Sequence, residues 1–181
     1  MIKAVIFDMD GTTVDSIKSI AHFVNETLTN YGYNTIPLEK FNYLVGNGAK
    51  NLIKRSLEEV GGDMTKFEEI FSTYKTSYDN NPCYLAESYE GILDMLKTLK
   101  ENKIKLGILS NKTDMTVQKI NKAVFGDLID DCRGDTENAP LKPDPATLLE
   151  MIDRLSVKKE EVLYVGDTNV DIFTAKNEKV K

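Results

Sequence analysis

With 181 residues, 41% hydrophobic and 29% charged, the chain is long enough for one ordinary core or for a core with a small appended unit. A net charge of -6 and a pI of about 4.9 leave no broad footprint for nucleic acid or an anionic membrane surface, so an anionic substrate has to be held by a local device. Cys83 and Cys132 stand far apart in no metal-type spacing, which suits a reducing cytoplasm, and neither a secretory leader nor a membrane-length apolar run is expected.

The first element lies in KAVIFDMDGTTVDS. Ala4 to Phe7 predicts a buried strand that stops at Asp8, followed by Asp10, a Gly-Thr turn and Asp15. Acids two residues apart at a strand end point to the same side, so Asp8 and Asp10 repel unless something positive lies between them. A plain Asp-Gly turn would explain a lone Asp-x-Asp-Gly equally well. Only helical periodicity follows, over Ile17 to Tyr31, Leu38 to Leu44, Ala49 to Val60 and Met64 to Tyr78. Such an interval is too long for one crossover helix and predicts an all-helical insertion beside the core. Its turns, NYGYNT, VGNGAK and VGGD, are rich in Gly and Asn. His22 reads as a packing or surface residue, so no histidine-based catalysis is implied, and Phe67, Phe71, Tyr74 and Tyr78 read as the insertion's core.

Strands and helices then alternate. A helix is expected over Tyr89 to Asn102 with Ser88 as its N-cap, a strand over Leu106 to Leu109 running into Ser110, and a helix over Asp114 to Val124. DLIDDCRGD is a weaker strand, Asp144 to Leu155 a helix, and Val162 to Val165 a strand running into Gly166 and Asp167. Short apolar runs alternating with helices predict a doubly wound, Rossmann-like parallel α/β core, with residues 1–14 and 83–181 in the core and 15–82 in the helical insertion. Ligands bind beyond the carboxyl ends of such strands, where Asp8, Ser110 and Asp167 would stand. Taken singly, Asp167 and Asp171 suit the positive start of a helix, Ser110 suits a strand-end cap and Lys142 a solvated lysine. Taken jointly, they point to chemistry.

DMDGT after the first strand, Ser-Asn after the second, KPDP before a helix and GDTNVD after a later strand together resemble the haloacid dehalogenase superfamily. The helical insertion is similar to the cap of phosphoglycolate phosphatases and β-phosphoglucomutases. The resemblance implies Asp8 as a nucleophile forming an aspartyl-phosphate, and Asp10 as the acid that protonates the leaving oxygen and then the base that activates water. Gly11 would allow the turn under the phosphate and Thr12 would stabilise it. Mg2+ would supply the missing positive charge, held by Asp8, the Asp10 backbone carbonyl and Asp167, with Asp171 as a further ligand or an outer partner. Ser110 and the Asn111 backbone N–H would hold the phosphate and Lys142 would supply fixed charge.

The implied reaction is Mg2+-dependent hydrolysis of a small phosphate monoester, phosphoglycolate-like, with a small phosphorylated metabolite as partner. A β-phosphoglucomutase-type phosphotransferase, or a pyrophosphatase or nucleotidase of the same fold, shares these motifs. Such mutases usually carry a His near the start of the cap linker, and Ser16 to Ser19 contains none. A phospho-accepting signalling domain fits poorly, because no helical insertion intervenes there. A silent binding protein would have lost one of the acids. In VGNGAK, glycines flanking Asn47 free the backbone to approach a ligand and Lys50 would meet a second anionic group; a plain turn with a solvated Lys explains the same residues. The family's sheet order, five, four, one, two, three, leaves the last strand of this chain without a following fifth, so Val162 to Val165 is expected at an edge. A homodimer would cover that edge; otherwise the last helix is loosely held and Mg2+ binds weakly.

Overall fold

The computed structural model describes residues 1–136 and 140–181. In chain order the elements are β1 (Ala4–Phe7), β2 (Val14–Asp15), α1 (Ile17–Asn30), α2 (Phe41–Leu44), α3 (Gly48–Val60), α4 (Phe67–Asn80), β3 (Glu87–Ser88), α5 (Ile92–Glu101), β4 (Lys105–Thr113), α6 (Asp114–Val124), β5 (Asp131–Asp135), α7 (Ala146–Arg154), β6 (Val162–Val165) and α8 (Asn169–Asn177). They form two compact units, Met1–Asp15 with Glu87–Lys181, and Ser16–Ala86. The second joint thus falls at Ala86/Glu87, after the extra turn Asn81–Ala86, which the sequence pattern assigned to the core from residue 83.

The first unit is a parallel α/β core. Among the described residues its main sheet has the order β5-β4-β1-β6, all pairs parallel. β1 is central, with Ala4 opposite Lys105 and Val162, and Phe7 opposite Ile108 and Val165. A strand with neighbours on both edges and helices on its faces has no polar side, which is why AVIF is apolar at every position and fully buried. Ala4, Ile6, Leu109, Leu148, Met151, Ile152, Val162 and Tyr164 share one core cluster. Gly107 admits α7 to the sheet, since a Cβ there would stand 2.7 Å from the Met151 sulfur.

Boundaries of several elements differ from the sequence pattern, among them those of β4, α5 and α7. β4 continues past its apolar run to Thr113, because β5 pairs with it as far as Thr113 opposite Asp135. Ser88 is not a helix cap: it pairs with Val14 in the antiparallel β2-β3 ribbon, and α5 begins later, after Gly91 at φ 81°. α7 begins at Ala146, whose N–H the Asp144 side chain accepts at 2.9 Å. At the β6 edge, Tyr164 N–H donates to the Lys181 carbonyl at 2.7 Å and Val180 is buried in the core cluster. β6 thus stands at the edge of the sheet, with one of its backbone groups, the Tyr164 N–H, paired to Lys181 of the same chain.

The second unit is helical, with Phe23, Val24, Leu28, Phe41, Ile53, Leu57, Ile70, Tyr74 and Tyr78 in its core and Phe67 and Phe71 packed partly buried against it. His22 is exposed and meets Phe23 edge-on and Tyr84 at a tilt, as its place on α1 suggested. No helix among the described residues is long and apolar enough to cross a membrane.

Candidate active site

Strand ends, a loop and the start of α8 bring acids and a lysine to one place. Asp8 leaves β1 with its N–H still bonded to the Val165 carbonyl at 2.8 Å, so it is fixed by the sheet ladder. Its Oδ1 accepts the Met9 N–H at 2.7 Å and the Lys142 ammonium at 2.8 Å. Among the described residues no hydrogen bond reaches Oδ2, which leaves that oxygen open. Burial pushes the Asp8 carboxyl up to about 7 against the opposing pull of Lys142, with Asp171 and Asp10 adding repulsion.

Lys142 is the hub. Its backbone is clamped by the Asn111 side chain, which accepts the Lys142 N–H at 2.8 Å and donates to the Lys142 carbonyl at 3.1 Å. Its ammonium donates to Asp8, to Asp171 Oδ1 at 2.7 Å and to the Tyr164 hydroxyl at 3.3 Å. Although burial disfavours the charged form, the negative partners Asp8 and Asp171 hold Lys142 protonated, its pKa above the usual lysine range. Asp171 is buried and doubly satisfied on each oxygen, Oδ1 by Lys142 and by Tyr164 at 3.1 Å, Oδ2 by the Thr168 N–H at 3.1 Å and hydroxyl at 2.6 Å. Despite its burial, these donors and the Lys142 charge hold its carboxyl below the usual range.

Asp167 follows β6 and is exposed, its Oδ1 accepting the Thr12 hydroxyl at 3.0 Å. Gly11, at φ 79°, lies so close beneath it that a Cβ would stand 2.5 Å from Asp167 Oδ2. Asp10 meets Lys112 from β4, at 2.6 Å. Ser110 is buried, its hydroxyl accepting the Lys112 N–H at 3.2 Å.

Asp8, Lys142, Asp167 and Asp171 are thus brought together, Thr12 and Gly11 against Asp167, and Asn111 against Lys142 through its side chain. Asn47 and Lys50 belong to the helical unit. There Asn47 precedes α3, its carbonyl accepting the Asn51 amide at 2.8 Å, and the Lys50 ammonium lies 5.7 Å from the Phe71 ring centroid. The sequence reading passed over Lys112, Tyr164 and Thr168. A tyrosine inside an apolar strand was the available signal for Tyr164, because a buried phenol has to find a polar partner.

Asp8, Asp167 and Asp171 each offer a carboxylate oxygen within 4.8 Å of the others. An all-oxygen, acidic set fits Mg2+. Since Asp171 already accepts on both oxygens, Asp8 Oδ2 and Asp167 are the open donors.

Residues 5–181 match the family model of haloacid dehalogenase-like hydrolases. The chain is 31% identical over 179 residues to phosphoglycolate phosphatase 1 of Pseudomonas aeruginosa, covering 96% of this chain and 65% of that protein. It is 33% identical over 183 residues to phosphoglycolate phosphatase of Mannheimia succiniciproducens, covering 96% of this chain and 80% of that protein. An assigned phosphoglycolate phosphatase of Lactobacillus delbrueckii subsp. bulgaricus superposes with a TM-score of 0.92 at 26% identity, covering 98% of this chain and 83% of that one. CbbY of Rhodobacter sphaeroides, solved with phosphate, shares the fold at a TM-score of 0.82 and 23% identity, covering 100% of this chain and 84% of that one.

Proposed function

Because the chain belongs to the haloacid dehalogenase-like hydrolase family, we propose that it hydrolyses a small phosphate monoester, with a phosphoglycolate-like ester as the first candidate, through an aspartyl-phosphate on Asp8. The observation that carries this reading is the pairing of a buried carboxylate, Asp8, with a buried lysine, Lys142, beside a second acid, Asp10. In the first step Asp8 Oδ2 attacks phosphorus, the bond from phosphorus to the leaving oxygen breaks, and Asp10 gives that oxygen its proton. In the second, water attacks phosphorus while Asp10 takes its proton, the bond to Asp8 breaks, and phosphate leaves. Ser110, Asn111, Gly11 and Thr12 line the phosphate side, and the Lys142 ammonium keeps Asp8 oriented and its charge balanced. Mg2+, held by Asp8, Asp167 and the Asp10 carbonyl with Asp171 behind them, would when bound supply the positive charge that lets a carboxylate approach a phosphate dianion.

A panel of phosphate esters assayed with Mg2+ and with EDTA tests the reading. Turnover of at least one small monoester that chelation abolishes is expected. Undiminished turnover by Asp8→Asn would overturn the covalent route, and activity that survives EDTA would overturn the metal's part.

A further inference from the structure

We infer that Tyr164 is a positioning residue for the reaction, its hydroxyl fixing the Lys142 ammonium against Asp8. The inference rests on the functional reading above and adds a residue to it.

A lysine ammonium carries three N–H donors on a flexible stem and takes its direction from whatever accepts them. Here Asp8 Oδ1 stands at 2.8 Å, Asp171 Oδ1 at 2.7 Å and the Tyr164 hydroxyl at 3.3 Å. The hydroxyl is not a passive third acceptor, since it donates its own proton to Asp171 Oδ1 at 3.1 Å. Lysine, carboxylate and phenol therefore close a triangle, and among the described residues the only ammonium bond that points out of it is the one to Asp8.

The backbone makes the triangle rigid. Tyr164 lies on β6 opposite Ile6 of β1, two residues from Asp8, and its own N–H is bonded to the Lys181 carbonyl. Asp171 is held by two bonds from Thr168 at the start of α8. Lys142 comes from a loop, clamped at its backbone by Asn111. With the loop lysine tied to a strand and to a helix, the ammonium cannot follow Asp8 or turn away from it as charge moves onto the phosphate. Such fixed placement of charge distinguishes a preorganised site from a merely polar one.

Tyr164→Phe removes one oxygen and keeps the ring, so it tests the hydroxyl. In Mg2+-containing buffer we expect kcat to fall about tenfold, the effect of losing one hydrogen bond to a charged group. KM should stay within twofold, because substrate contacts are untouched, and Tm should fall by no more than a few degrees. A second readout needs no turnover. The 15Nζ ammonium signal of Lys142, identified by its loss in Lys142→Met, should be visible through slow proton exchange in the parent, and should shift and exchange faster in Tyr164→Phe. A kcat within twofold of the parent, an unchanged ammonium signal, or failure of Tyr164→Phe to fold would each overturn the inference. Absence of turnover in the parent would instead strike the functional reading and leave the ammonium measurement to decide the geometry.

Discussion

Gly11 answers two demands at one position. Its φ of 79° is costly for any residue with a side chain, and a Cβ would collide with Asp167 Oδ2 at 2.5 Å. Gly11→Ala should therefore displace Asp167 as well as strain the turn, lowering stability by about 1–2 kcal/mol and raising the Mg2+ concentration that gives half-maximal activity; a metal titration of activity beside a urea melt checks both. Asp8→Asn keeps the size and shape of the proposed nucleophile but removes its charge, so turnover should drop by roughly a thousandfold or more with the melting temperature little changed. On the proposed route Asp10→Asn should slow formation and breakdown of the phosphoenzyme together, since one group would serve both proton transfers; rapid-quench measurement of each step would expose an effect confined to one. The positions of these acids were legible because each follows a recognisable strand or turn. Tyr164 and Lys112 were not, since a tyrosine in an apolar strand and a lysine after Ser-Asn acquire meaning only from what lies across the sheet.

At the scale of elements, the sheet is tied at the end opposite the candidate site by Asp130, just before β5. Its carboxylate accepts the Leu106 N–H of β4 and the Lys100 ammonium of α5, each at 2.8 Å. Partial burial opposes ionisation, but these donors win and hold the carboxyl below the usual range. A carboxyl lowered in the folded state stabilises above its unfolded pKa of about 3.9, and loses that contribution as pH falls through the folded value. Asp130→Asn should lower stability at pH 7 by about 1–2 kcal/mol, and should lose less stability than the parent between pH 5 and pH 3. Urea unfolding at a series of pH values reads both, and turnover should be unaffected because Asp130 touches none of the site residues. The extension of β4 beyond its apolar run belongs to this scale too. Ser110, Asn111 and Lys112 have no strand-like apolar pattern, and they fall where the register with β5 shifts, between Leu109 opposite Arg133 and Thr113 opposite Asp135.

At the scale of the whole chain, two units with separate cores share one polypeptide. Leu57 is fully buried in the helical unit, and Leu57→Ala should cost that unit about 2–5 kcal/mol. Hydrogen exchange should report the loss in α1, α3 and α4 while amides of β1 and β4 keep their protection. Equal loss of protection in both units would mean that they unfold as one.

The amino-acid sequence alone determined the α/β alternation, the central apolar strand, the helical insertion and the acids at the strand ends, because hydrophobic periodicity and turn chemistry act over a few residues and are written locally. Only the tertiary structure decided how Lys142 is held. Its ammonium is oriented by Asp8, by Asp171 and by Tyr164, and its backbone by Asn111, residues 134, 29, 22 and 31 positions away. No local pattern encodes such distances. The same holds at the β6 edge, where the turn after α8 brings Lys181 back to Tyr164 and pairs a backbone group that chain order alone left exposed.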